Sequence, residues 1–182
     1  MTTTTEQATL DSTFDLTHLD TDRVEKVRRR MLNPILIRLY MLFKLPLGLF
    51  AGMSVRALDA QRCQTGLKYG WRNTNPFRSM YFAAQSMAAE LSTGALAMMA
   101  VELAPQPVAL LITNLDVEFS KKAVGDITFT CEQGDALFAA VAETLATGEA
   151  ATARVETVGR MADGTEVARF HFTWSFKKRS GR

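Results

Sequence analysis

The chain has 182 residues, which suits one domain with a few added elements, since domains typically run about 100–200 residues. Hydrophobic residues make up 47% and charged residues 22%, an ordinary balance for a packed core, and a net charge of +2 excludes any strong electrostatic claim on nucleic acid. The two cysteines, Cys63 and Cys131, are too few for a disulfide framework and lack metal-type spacing; they read as small core hydrophobes, and no metal or cofactor is expected.

Residues 1–21 are Thr-rich and polar and read as a flexible tail. The opening MTTTTEQATLDSTFDL lacks the basic and apolar regions of a secretory signal. The most apolar stretch, Met31 to Val55, is interrupted by Arg38, Lys44 and Pro46, so stable membrane insertion is not expected and a cytoplasmic protein is. A single domain is expected over 22–178, with N-terminal helices over 22–44. The first helix starts near Asp22, where Asp22-x-x-Glu25 has the form of a capping box, and Asn33-Pro34 breaks it. The second, Ile35 to Phe43, carries Ile35, Leu36, Leu39, Leu42 and Phe43 at helical spacing. That stripe is expected to pack on the sheet or a neighbouring protomer, leaving Arg28, Arg29 and Arg30 solvated; docking on an anionic membrane is the alternative.

Two strands follow, Met53–Leu58 and Cys63–Trp71, the second placing Cys63, Thr65, Leu67, Tyr69 and Trp71 on one face. After a turn at Asn73-Thr74-Asn75-Pro76 comes the most informative segment, Phe77 to Leu103. It has no proline and one glycine, and it is apolar nearly all round, as a buried helix is. Its exception is a stripe in which Ser79, Ser86, Glu90 and Thr93 fall within an arc of about 60°. Ala84, Ala88, Ala89, Gly94 and Ala95 beside it would let strands approach closely, as in an α+β fold with an antiparallel sheet wrapped around one long helix. Strands Ala109–Ser120 and Asp126–Gln133 read as a hairpin joined through Lys121 to Gly125. Asp135–Ala146 reads as an amphipathic helix stopped by Gly148. Thr152–Arg160 and Glu166–Lys177 form a second hairpin through Asp163-Gly164, with Phe170, Phe172, Trp174 and Phe176 on a core face.

This order of elements, with VEFSKKAVGDITFTCE after the helix, resembles the hotdog superfamily. NPFRSMYFAAQSMAAEL, Asn75 to Leu91, looks like the helix-start motif of its thioesterase branch, and with LPLGLFAGMSV upstream the chain is most similar to a hotdog family known only as a domain of unknown function. The resemblance covers about 22–178 and implies a homodimer, or a dimer of dimers, acting on acyl-CoA or acyl-carrier thioesters. It places Glu90 as the helix carboxylate serving as base or nucleophile, Asn75 as the polar residue before the helix, and Arg78 and Ser79 at the turn whose backbone amide polarises the thioester carbonyl. Where many relatives have glycine at that turn, this chain has Pro76, Phe77, Arg78 and Ser79.

Thioester hydrolysis needs a group that activates water or attacks directly, and a donor for the developing oxyanion. Ser79, Ser86 and Thr93 would meet substrate along the polar stripe, although a helical serine can equally bond back to its own helix. The plainer alternative for Glu90 is an arginine partner or solvent at a helix edge, and for Asn75 a turn former or cap. Arg72 and Arg78 bracket the turn and read first as solvated, with a coenzyme A phosphate as the alternative. His18 and His171 lie far from the motif in sequence, and neither suits a dehydratase. The rival reading is a non-catalytic acyl- or lipid-binding hotdog protein.

Overall fold

The computed structural model describes residues 19–179, so most of the expected tail, His18 included, lies outside the described residues. Asp20, rather than the box at Asp22, opens the first helix, α1 (Thr21–Leu32): its carboxylate accepts from Asp22 N and Arg23 N, at 2.9 and 3.3 Å. Glu25 instead turns to Arg29 and Arg28, with contacts of 2.8 and 3.0 Å, and Arg30 pairs with Glu102. These arginines are therefore ion-paired rather than merely solvated. Asn33 serves two helices, its N–H closing α1 on Arg29 O and its side chain capping α2 (Pro34–Lys44) at Ile35 N and Leu36 N.

The stripe on α2 does not enter the chain's core. Met41 is buried and Ile37 half-buried, but Ile35 is 69% and Phe43 77% exposed. A short α3 (Pro46–Ala51) follows, then β1 (Met53–Leu58) and β2 (Cys63–Leu67), an antiparallel pair turned by Asp59, whose Oδ1 accepts from Gln61 N and Arg62 N. The expected strand to Trp71 stops at Leu67. Beyond it the amides turn to side chains: Tyr69 N donates to Asp126 Oδ1 and Gly70 N to Asn73 Oδ1, and Trp71 stands 81% exposed.

The long helix α4 (Phe82–Leu103) begins five residues later than the composition suggests, because Arg78 takes a left-handed φ of 59° and Met80 bridges back to Thr74. After it come β3 (Val108–Phe119), β4 (Ile127–Cys131), α5 (Gly134–Thr147), β5 (Ala151–Met161) and β6 (Glu166–Lys178). They complete a six-stranded sheet in the order β1-β2-β4-β5-β6-β3, antiparallel throughout, with α4 against it.

The expected β3–β4 hairpin does not form. β3 pairs along its length with β6, and β4 lies between β2 and β5. The connection crosses the end of the sheet, held where Met80 N donates to Ala123 O at 2.7 Å and Ser120 N to Val167 O at 3.0 Å. Loop composition signals a reversal of the chain but not which strand receives it. The β5–β6 hairpin does form, turning at Asp163 and Gly164, and Phe170, Phe172, Trp174 and Phe176 are buried as expected. Its outer face carries His171, whose Nε2 lies 3.2 Å from Glu156. β3's other edge has no strand partner among the described residues, and most of β3 is exposed.

Cys63 and Cys131 face each other across β2 and β4, both buried and free, and burial raises both thiols, Cys131 to about 11, which keeps them unreactive. No helix among the described residues is long and apolar enough to cross a membrane.

Gly134 starts α5 against the β1–β2 turn, where an added Cβ would sit 2.0 Å from Ala60 O. Gly134→Ala must push two backbones apart and is expected to destabilise the fold by about 1–3 kcal/mol. The measurement is a urea unfolding curve whose midpoint falls while its slope holds.

Candidate active site

The sheet covers only part of α4's circumference. Ala88, Ala89, Ser92, Ala95, Leu96 and Met99 are buried, whereas Met87, Glu90, Leu91, Gly94 and Met98 follow helical spacing and stay half-buried or exposed. The expectation of burial all round is thus corrected. The open stripe is lined by Met, Leu and Gly, so by composition it looks like core. With α2 and α3 on one side and β3 and β6 on the other, it floors a groove of about 500 Å³, whose walls include Tyr40, Lys44, Leu47, Leu110 and Trp174.

Glu90 sits in that groove. Its side chain reaches solvent, and among the described residues its carboxylate has no hydrogen-bond or ion-pair partner. The surrounding protein still excludes enough water to raise its pKa above the ordinary carboxylate range, with desolvation the only cause. Of the two plainer alternatives for Glu90, an arginine partner is absent among the described residues, whereas access to solvent is present. Thr93, three residues on, turns into the core: its hydroxyl donates to Glu90 O and accepts from Trp174 Nε1, both at 3.1 Å. Ser86 donates to Phe82 O at 2.9 Å, so its hydroxyl proton is engaged within the helix.

The turn before α4 is organised by Asn75. Its Oδ1 accepts from Phe77 N at 2.9 Å and from both Ser79 N and Ser79 Oγ at 3.2 Å. Arg78 N donates to Asn75 O, so the amides of both Arg78 and Ser79 are engaged inside the turn. Arg78 adopts, at a cost in strain, the conformation for which glycine is suited, and its side chain is exposed.

The chain therefore holds two separate groups. Glu90 lies eight residues into α4, about 12 Å along its axis from Phe82, while Asn75, Arg78 and Ser79 lie on the turn beyond that end. Lys44 and Tyr40, which share Glu90's groove, carry no sequence signal tying them to it. The same is true of Asn73, buried beneath the turn, whose Nδ2 donates to Ala51 O and Lys68 O at 3.0 and 2.8 Å. Gln85, also buried, donates to Met80 O, and its Oε1 has no partner among the described residues.

The fold recurs in solved structures. A Chlorobaculum tepidum protein of unknown function superposes with a TM-score of 0.67 at 13% identity, covering 82% of this chain and 99% of its own. A Haemophilus influenzae thioesterase gives 0.55 at 9% identity over 77% and 88% of the two chains. The Escherichia coli PaaI protein, from a phenylacetic acid degradation operon, gives 0.56 at 12% identity over 87% and 96%. Identities this low establish the fold alone. No curated protein matches the sequence. The fold is the α+β hotdog fold, and residues 35–176 match the family described as Domain of unknown function (DUF4442), to which the chain therefore belongs.

Proposed function

We propose that the chain hydrolyses acyl thioesters carried on coenzyme A or a carrier protein, with Glu90 as general base or nucleophile. The observation that carries this reading is an unpaired, partly desolvated carboxylate on the wall of an otherwise largely apolar groove. The groove suits an acyl chain, and the raised pKa suits proton abstraction near neutrality. As a base, Glu90 takes a proton from water while the water oxygen bonds to the carbonyl carbon. The tetrahedral intermediate then expels the thiolate, and the proton leaves with the sulfur. As a nucleophile, its oxygen bonds to the carbonyl carbon while the C–S bond breaks and the thiolate leaves. Water then opens the resulting acyl anhydride, releasing the acid and regenerating the Glu90 carboxylate, and the proton freed from water goes to the thiolate. The Haemophilus neighbour is a thioesterase, which supports the reading only through a shared fold.

A second reading, an acyl- or lipid-binding protein without turnover, is favoured by one observation: the Arg78 and Ser79 amides already donate within their own turn. Ligand binding by native mass spectrometry, beside a turnover screen over acyl-CoA chain lengths, separates the two. Binding without turnover selects the second.

The working form in this reading is a homodimer or a dimer of dimers. β3 offers an unpaired edge with Leu111 66% exposed, and α2 leaves its apolar side chains open; a second copy would cover both. Sedimentation should therefore give at least twice the 20.1 kDa of one chain at micromolar concentration, and a monomer alone would remove the dimer from the proposal.

Glu90→Gln should keep the fold, since the amide is nearly isosteric, while turnover falls at least about a hundredfold, the scale expected when a general base is lost. Activity within a few-fold of wild type would take Glu90 out of the mechanism. In the wild type, activity should rise with pH along a limb displaced above the ordinary glutamate value of 4.5, and Glu90→Gln should lack that limb. Stability has the opposite sign. A carboxyl whose pKa is raised on folding holds its proton more tightly when folded, so it lowers stability as pH rises above the unfolded value. Glu90→Gln should therefore leave the melting temperature near neutrality unchanged or slightly higher.

A further inference from the structure

Most described arginines are held by carboxylates: Arg28 and Arg29 by Glu25, Arg30 by Glu102, Arg62 by Glu132, Arg154 by Asp116, Arg160 by Glu166, and Arg169 by Glu156 and Glu166. Three without a carboxylate partner, Arg38, Arg56 and Arg72, converge with Lys68 on one pocket of about 520 Å³. α2, α3 and β1 bring no carboxylate of their own to it, because the chain has no acidic residue between Glu25 and Asp59. One carboxylate lines the pocket, that of Asp126, and its Oδ1 accepts from Tyr69 N at 2.9 Å.

The backbone is shaped to admit these cations. Arg56 lies across β2 and donates to Thr128 Oγ1 on β4, a path open because residue 66 is glycine: a Cβ there would sit 2.0 Å from Arg56 Nε. Gly52, with φ of 87°, leaves room for Arg72, whose Nη2 would lie 3.3 Å from an added Cβ. Met41, Leu49 and Met53 supply an apolar part of the same wall. Four like charges gathered in one concavity repel one another, and an anion placed among them relieves that repulsion. Guanidinium forks match phosphate oxygens in geometry as well as charge, and the volume falls within the roughly 300–1,000 Å³ typical of small-molecule sites.

We propose that this pocket binds a ligand bearing clustered phosphates, seated by Arg38, Arg56, Lys68 and Arg72, with the ligand's apolar part against Met41 and Met53. The phosphates come either from a soluble diphosphate-bearing molecule or from the headgroups of an anionic lipid surface facing α2. The site is distinct from the Glu90 groove, although Met53 borders both. The inference does not depend on hydrolysis at Glu90.

The test titrates inorganic pyrophosphate into the full chain by calorimetry and, in a second arm, sediments the protein with vesicles of equal phosphatidylglycerol and phosphatidylcholine against phosphatidylcholine alone. Saturable binding that weakens steeply with salt is expected. The double variant Arg38→Gln/Arg72→Gln should lose at least about tenfold in affinity, the scale of one or two charge-assisted hydrogen bonds. Arg154→Gln, which removes the same kind of charge elsewhere, should bind as wild type. Should the double variant fail to fold by circular dichroism, each single substitution should weaken binding at least about threefold. Pyrophosphate binding lost in the variant supports a soluble source; vesicle binding lost in the variant, with no pyrophosphate binding, supports the lipid source. Failure of both probes, or binding that survives the substitutions as well as it survives Arg154→Gln, overturns the proposal. Pyrophosphate carries no acyl group, so neither outcome bears on whether Glu90 turns over a thioester.

Discussion

The sheet comes close to α4 because the helix presents Ala88, Ala89 and Ala95 where strands press on it, while at the rim of the groove it presents Gly94 to an aromatic ring. Trp174 packs over Gly94, where a Cβ would meet its ring at 3.4 Å. Within the sheet, Phe129 fills the space left by Gly159, where a Cβ would lie 2.5 Å from the ring. At that distance the polar groups on the buried side of the helix need partners, and among the described residues all but Gln85 Oε1 find one. Thr65 Oγ1 donates to Ala88 O at 2.7 Å, Ser92 Oγ lies 2.7 Å from Thr157 Oγ1, and Trp174 Nε1 donates to Thr93 Oγ1. Three hydrogen bonds from three strands fix the rotation of α4 about its axis. That rotation decides which stripe meets the sheet and which faces the groove.

Glu90's exposure follows from this rotation. A quarter turn would bury a carboxylate among Ala and Leu with nothing to pair it, a cost the fold avoids. In the groove the carboxylate reaches solvent, while the protein packed around it raises its pKa from the ordinary value. The turn before α4 serves a different purpose. Asn75 gathers three donors onto one oxygen, and Arg78 takes a left-handed conformation, so the chain reverses sharply and enters the helix at Phe82. Its amides are turned inward by that arrangement, which separates the turn chemically from the carboxylate further along the same helix.

Charge is distributed unevenly. α1 is tied to the end of α4 by Arg30 with Glu102, and by Arg23 Nη2 donating to Glu102 O at 3.1 Å. The outer face of β5 and β6 is laced by Arg169, Glu156, Glu166 and His171. Between these regions α2 and α3 carry apolar side chains and no acidic residue, and α2 adds the cations Arg38 and Lys44. α2 is attached to the rest of the chain through Met41 and Ile37, and a helix so apolar on its open side is stable where something else covers it.

Alternation and helical spacing along the chain were enough to determine the long helix, the six strands, the β5–β6 hairpin and its aromatic core face, because each depends on a period of two or 3.6 residues carried by local sequence. The Asn75-Pro76 turn and the isolation of Glu90 among apolar residues were legible for the same reason. Ala84, Ala88, Ala89 and Ala95 already pointed to the face that meets the sheet, but the open stripe of Met87, Leu91, Gly94 and Met98 beside Glu90 was not legible. Met and Leu line both the groove and the interior, and only hydrogen bonds from Thr65, Thr157 and Trp174, residues far away in the chain, select between them. Nor could the partner of β3 be read, since Lys121 to Gly125 looks like a hairpin loop whether it turns back or crosses the sheet end. The grouping of Arg38, Arg56, Lys68 and Arg72, and of Lys44 with Glu90, was likewise decided by tertiary structure alone. Such groupings depend on how α2, β1 and the segment after β2 pack together, and no local period records the distance between residues so far apart in the chain.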